Sequence, residues 1–195
     1  MARITQEYIT NYFDRSVVAL QAAAGDRDLC SAIWRIADVV GRALRDGGKL
    51  MIAGNGGSAA DAQHLAGEFL SRYRSDRRPL PAIALTTDTS VLTAVGNDYG
   101  FEKVFERQVR GLGRRGDIFL AISTSGRSAS ILAALRAARE AELTTIGFSG
   151  AGAGAMSELC DLMLLAPSDD TPIIQQIHMV AGHVICGLVE EILCG

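Results

Sequence analysis

The stretch from Lys49 to Leu70, KLMIAGNGGSAADAQHLAGEFL, constrains this chain more than any other. Leu50–Ala53 is a short apolar run suited to a buried strand. The chain then breaks on Gly54-Asn55-Gly56-Gly57-Ser58 and resumes as an Ala/Leu-rich run of strong helix formers. Strand, glycine turn and helix in that order leave backbone N–H groups of the first helical turn unpaired and facing the turn. Such a mouth takes an anion, usually a phosphate. Along the helix, Asp61, His64 and Glu68 are three and four residues apart, so at about 100° per residue they form one polar stripe. Glycine turns also precede helices that bind nothing, and an i,i+4 His–Glu pair is commonly just solvated. Here Ala59, Ala60, Ala62, Leu65, Ala66, Phe69 and Leu70 predict a mostly buried helix, on which charged groups need a cavity or a partner. A small phosphorylated substrate is the expectation.

A chain of 195 residues suits one domain with a full core, and 48% hydrophobic against 21% charged residues suits a compact fold. The net charge of −3 argues against a general nucleic-acid binder. Arg72, Arg74, Arg77 and Arg78 read as a local, solvated loop cluster. No apolar run is expected to reach the roughly 18 residues of a membrane span, and no signal peptide is expected at the start. Cys30, Cys160, Cys186 and Cys194 lack metal-knuckle spacing and read as reduced, mostly buried residues of a cytoplasmic protein.

Ile4, Tyr8, Phe13, Val17, Leu20 and Ala24 predict an amphipathic helix over 3–24, and a second runs from Arg27 to Arg45, stopped by Gly47-Gly48. This pair stands outside the alternating pattern that follows and is expected to pack on a neighbouring subunit. Strands are expected at Leu50–Ala53, Pro81–Leu85, Asp117–Ile122, Thr144–Phe148 and Asp161–Leu165. Thr86-Thr87-Asp88-Thr89-Ser90 supplies N-cap residues for a helix through Val95, before Asn97-Asp98-Tyr99-Gly100; helices over Phe101–Leu112, up to Ala141, and Thr171–Leu193 complete the set. Strands separated by helices imply a parallel sheet covered on both faces.

Ser123-Thr124-Ser125-Gly126-Arg127-Ser128 is a second loop that ends a strand and opens a helix. Its four hydroxyls and the helix N-terminus can hold a phosphate without lysine, at the strand edge where open α/β sheets bind ligands. A Walker A loop is excluded because no lysine follows Gly57. Gly54-x-Gly56-x-x-Ala59 with Asp88 fits the loose dinucleotide fingerprint, but 195 residues leave little room for a dehydrogenase's second domain.

GNGGSAADAQHLAGE, LTTDTSVLTAVGNDYGFEKVFERQV, STSGRS and the terminal QxxHxxxxH resemble the sedoheptulose 7-phosphate isomerase (phosphoheptose isomerase) family of the sugar-isomerase, or SIS, fold, across nearly the whole chain. The resemblance implies a three-layer α/β/α sandwich with a five-stranded parallel sheet in flavodoxin-like order plus N-terminal helices. Residues 1–195 would be a single SIS domain, with 1–47 a helical pair used in oligomerisation and 48–195 the α/β core. It further implies a homotetramer. The implied reaction turns sedoheptulose 7-phosphate into D-glycero-D-manno-heptose 7-phosphate for bacterial lipopolysaccharide core or capsule. Asn55, Gly56, Gly57, Asn97 and Asp98 would contact the phosphorylated seven-carbon sugar, and Ser123, Thr124, Ser125 and Ser128 would hold its phosphate. Gln175 would contact it as well. Glu68 would be the base and His183 the acid; a zinc ion in each subunit would sit among His64, Glu68, Gln175 and His183. Two positions depart from the family pattern: Arg127 stands where Asn is common, and Gln176 where Glu is common.

The chemistry agrees with those roles. Ketose-to-aldose conversion through an enediol needs a carboxylate near C1, a proton shuttle at the oxygens, and shelter from water. Glu68 on the buried stripe suits the base, and His183 suits the shuttle. His178 is five residues, or about 140°, away from His183 on its helix and is expected in core packing or a subunit contact. A metal at His64 and Glu68 would polarise the oxygens instead, at the cost of Glu68 basicity. A non-enzymatic SIS-fold tetramer that binds the bacterial replication initiator is similar in the same blocks; it needs no acid–base pair, whereas this chain has both members. Because Ile173, Ile174, Ile177, Val180, Val184, Ile185, Leu188, Val189 and Ile192 surround much of the last helix, other subunits are expected to bury it and His183 to meet Glu68 across a subunit boundary.

Overall fold

In the computed structural model, which describes residues 6–194, the five strands form one parallel sheet of order β2-β1-β3-β4-β5. They are β1 (Leu50–Gly54), β2 (Ala82–Ala84), β3 (Ile118–Ile122), β4 (Thr144–Gly150) and β5 (Leu162–Ala166). The helices are α1 (Gln6–Gly25), α2 (Arg27–Arg45), α3 (Gly57–Leu70), α4 (Thr89–Tyr99), α5 (Val104–Leu112), α6 (Ala129–Glu140) and α7 (Thr171–Cys194). Ile4, the first apolar position of the expected N-terminal helix, lies outside the described residues.

Strand alternation divides the core between two layers. Leu50, Ile52, Ile118, Leu120 and Ile122 face α2, α3 and α7, whereas Met51, Ala53, Phe119 and Ala121 face α5 and α6. The expected three-layer sandwich in flavodoxin-like order is what forms. The helix after β1 lies on one face and the helix after β3 on the other, although the two strands are neighbours. The crevice between them is the topological switch point, where such sheets bind ligands.

Of the N-terminal pair, α2 lies in the sandwich, with Ile36, Ala37, Val40 and Leu44 buried against the sheet and α7. Asp26 caps α2 by accepting from Asp28 N and Leu29 N. α1 lies outside and exposes Tyr8, Ile9, Phe13, Val17 and Val18.

Four local expectations need correction. α4 continues past Val95 to Tyr99, so Asn97 and Asp98 are helical. Among the described residues, α7 is long and apolar enough to cross a membrane by length and composition, contrary to the sequence reading; here it is a packed layer helix against α2, α3 and the sheet. Of the four free cysteines only Cys186 is buried; Cys30 and Cys194 are exposed. Arg77 is not a solvated loop residue, because it pairs with Glu190 beneath the loop after α3.

Candidate active site

Two helix N-termini open onto the switch point. Gly56 caps α3 at φ +56°, a conformation suited to glycine, and no side chain bonds the first turn. Ser128 caps α6 with no side-chain bond to the first-turn backbone N–H groups. Its hydroxyl instead accepts from Asn55 Nδ2 at 2.9 Å and pairs with Ser130 Oγ at 3.2 Å. Asn55 also donates to Ser130 Oγ at 3.1 Å. One amide thus bridges the glycine turn and the serine loop and brings the positive dipole ends of two helices to one mouth, a setting suited to an anion.

The serine loop is tightly framed. Ser123 N donates to Phe148 O at 3.0 Å, Gly150 N to Thr124 O at 3.0 Å, and Arg127 N to Ser125 Oγ at 3.3 Å. Gly126, at φ +63°, lies so close to the Ala153 carbonyl that no side chain fits. Thr124, Ser125 and Arg127 line one wall of an open depression of about 250 Å³, opposite Ser168, Asp169 and Thr171 at the start of α7.

Farther along α3, the polar stripe meets α7. Gly182 packs on Leu65, where a Cβ would fall 2.6 Å from Leu65 Cδ2. This close approach brings the next residues together: His64 Nε2 and His183 Nε2 share a hydrogen bond at 2.9 Å, with the rings edge to face. Glu68 Oε1 is 3.3 Å from His64 Nε2. Ligand atoms of His64, Glu68 and His183 all lie within 4.8 Å of one another in a single chain. The expectation that Glu68 and His183 meet across a subunit boundary is therefore overturned; α3 and α7 are neighbours in one layer. Tyr73 stacks on His183, with centroids 5.8 Å apart and planes at 22°.

Two imidazole nitrogens and a carboxylate oxygen facing one another are a donor set suited to zinc. Gln175 sits one element end away, its amide against Gly57, where a Cβ would collide with it. Asn97 donates to Asp98 Oδ1 at 2.7 Å on the exposed end of α4, and the structure gives neither a bond to the two loops.

Two groups stand out beyond the expected set. Asp61 completes the stripe with a half-buried carboxyl, pushed up to about 6 by desolvation against the pull of His64. Its Oδ2 is buried without a partner. Tyr73 lies in a loop with no periodicity to reveal it. Of the two places expected for His178, core packing or a subunit contact, the core is where it lies: fully buried, it bonds Ser149 O at 3.1 Å and packs on Phe148, and burial lowers its pKa to about 4.

The SIS domain family matches residues 11–150. The phosphoheptose isomerase of Bradyrhizobium sp. strain BTAi1 is 59% identical over 193 residues, covering 99% of this chain and 98% of that one. That of Burkholderia pseudomallei strain 1710b is 53% identical over 188 residues, covering 96% and 95%. The solved phosphoheptose isomerase of Neisseria gonorrhoeae is 40% identical and superposes with a TM-score of 0.90 over 95% of this chain and 98% of its own. With this coverage at both ends of the comparison, the chain belongs to the SIS-domain family, in its phosphoheptose isomerase group.

Proposed function

We propose that the protein isomerises sedoheptulose 7-phosphate to D-glycero-D-manno-heptose 7-phosphate through an enediol. The observation that carries this reading is the joining of two uncapped helix N-termini by Asn55, with Glu68 and His183 on the same helix layer. The phosphate lies on Ser123, Thr124, Ser125 and Ser128, and Asn55, Gly56 and Gly57 hold the adjoining sugar, with Asn97, Asp98 and Gln175 as further contacts. From Gly57 to His64 the helix rises roughly 10 Å. That spacing suits a substrate whose phosphate and carbonyl lie at opposite ends of a seven-carbon chain.

Glu68 takes the proton from C1 and returns it at C2, while His183 moves the proton between the two oxygens. His64, beside both, orients them through its ring nitrogen. His64, Glu68 and His183 would hold a zinc ion, and a bound ion supplies Lewis-acid polarisation of the sugar oxygens; Gln175, expected as a further ligand, instead lies against Gly57 at the other end of the α3 stripe. The identities to named isomerases and the presence of both acid and base favour catalysis over a replication-initiator-binding tetramer.

An enediol needs shelter, yet the His64 side chain is 49% exposed in the single chain. A second copy of the chain is the cover. Trp34, Val180 and Val184 are exposed beside the apolar face of α1 and line an apolar groove of about 290 Å³. Burying that face supports a homotetramer, with 1–47 contributing to the interface. The product would feed surface heptose for lipopolysaccharide core or capsule, in the cytoplasm. Incubating purified protein with sedoheptulose 7-phosphate tests the activity: appearance of the aldose is expected, and no turnover by a native-mass tetramer rejects it.

A further inference from the structure

We propose that Arg77 and Glu190 are positioning residues for the isomerisation, setting where α3 presents Glu68 and where Tyr73 meets His183 on α7. The inference rests on the reading of Glu68 and His183 as base and acid.

Arg77 Nε lies 3.1 Å from Glu190 Oε2, and each side chain is only 5% exposed. The guanidinium reaches the end of α3, donating through Nη2 to Glu68 O and through Nη1 to Phe69 O, both at 2.9 Å. These are last-turn carbonyls that no helical N–H can serve, and a cation there suits the helix dipole. The planar fork therefore grips the backbone of the base itself.

Glu190 works on the other partner. It follows His183 by seven residues, about 20° around α7, so the two share a face. Its Oε1 accepts from Ser75 N at 2.7 Å and Arg74 N at 3.1 Å, and its Oε2 accepts from Tyr73 N at 3.3 Å. The carboxylate thus folds the loop after α3 around itself and delivers the Tyr73 ring onto His183. A buried ion pair is weak grounds for stability, since desolvation offsets much of its attraction. In this one, the partners' remaining bonds run largely to the backbone that carries Glu68 and Tyr73. Position is what the pair supplies.

The chain has three histidines, and His178 is buried away from the pair, bonded to Ser149 O. Ring ¹H–¹⁵N spectra therefore carry an internal reference. Arg77→Lys keeps the charge beside Glu190 but loses the fork. Its His64 and His183 signals are expected to move while His178 stays, with kcat down about 10- to 100-fold and KM within about twofold, because the phosphate loops are untouched. Leu135→Ala, in the opposite layer, is expected to lower the melting temperature without that fall in kcat. If Arg77→Lys does not fold, the neutral pair Arg77→Gln/Glu190→Gln leaves no unpaired charge and is read the same way.

Unmoved His64 and His183 rings, or wild-type kcat in the folded variant, overturn the proposal. Movement of all three rings overturns it too, since that marks a general loosening. Wild-type kcat in Glu68→Gln would instead refute the acid–base reading, and the ring shifts of Arg77→Lys distinguish the two failures.

Discussion

Asn55 donates its side-chain amide to Ser128 Oγ at 2.9 Å, joining residues 73 positions apart across the switch between β1 and β3. The bond fixes the spacing of two helix mouths that would otherwise be set only by the sheet. Asn55→Ala is expected to raise KM for the phosphorylated sugar about 2- to 13-fold, the value of one ordinary hydrogen bond, with a smaller change in kcat. Ser125→Ala is expected to act in the same direction. Steady-state kinetics check both, and an unchanged KM in each rejects the phosphate assignment.

Glu68→Gln preserves the shape of the stripe and removes the base. A fall in kcat of about 10²-fold or more is expected. Near-normal turnover in a correctly assembled variant would take the role from Glu68.

Glu68 and His183 belong to one chain, which makes complementation a sharp test. Mixed Glu68→Gln and His183→Ala subunits are expected to regain no activity, even when native mass spectrometry shows hybrids. Partial recovery would mean that a site draws its two groups from different subunits.

Gly182 sets how closely α7 approaches α3 through Leu65. Gly182→Val is expected to part the helices, costing about 1–3 kcal/mol of stability by overpacking. Because His64 and His183 are the adjacent residues, kcat and zinc affinity should both fall, by about tenfold or more. Calorimetric zinc titration of the metal-freed variant reads the second effect without reference to turnover; wild-type zinc affinity would separate the helix approach from the histidine pair.

Asp61 makes stability depend on pH. Burial lifts its carboxyl from 3.8 to about 6, so the folded chain holds a proton that the unfolded chain has released. Stability from this group is therefore lost as pH rises from about 4 through 6. His178 has the opposite slope, its folded pKa being lowered from 6.5 to about 4, but it is common to both proteins in a comparison. Asp61→Asn should match the parent in melting temperature at pH 4 and exceed it by a few degrees at pH 7. Equal melting at both values would show that the carboxyl is not held in a desolvated site.

Chain-local features were legible before any folding was considered. Apolar runs of strand length, glycine breaks and the helical period placed the five strands and the main helices within a few residues. They also placed Asp61, His64 and Glu68 on one face, because side-chain direction follows from backbone geometry alone. Which elements become neighbours is a different matter. α7 carries apolar residues on most sides, a pattern that does not distinguish burial by other subunits from burial within one layer; α2, α3 and the sheet cover much of it. That packing, with Gly182 against Leu65, brings His183 to Glu68 inside one chain. Arg77 shows the same limit from the polar side. Among four arginines in a polar loop it has no distinguishing spacing, and only the return of α7, 113 residues later, supplies the buried carboxylate that draws it inward. Periodicity determines the face a residue occupies, and tertiary packing chooses what that face meets.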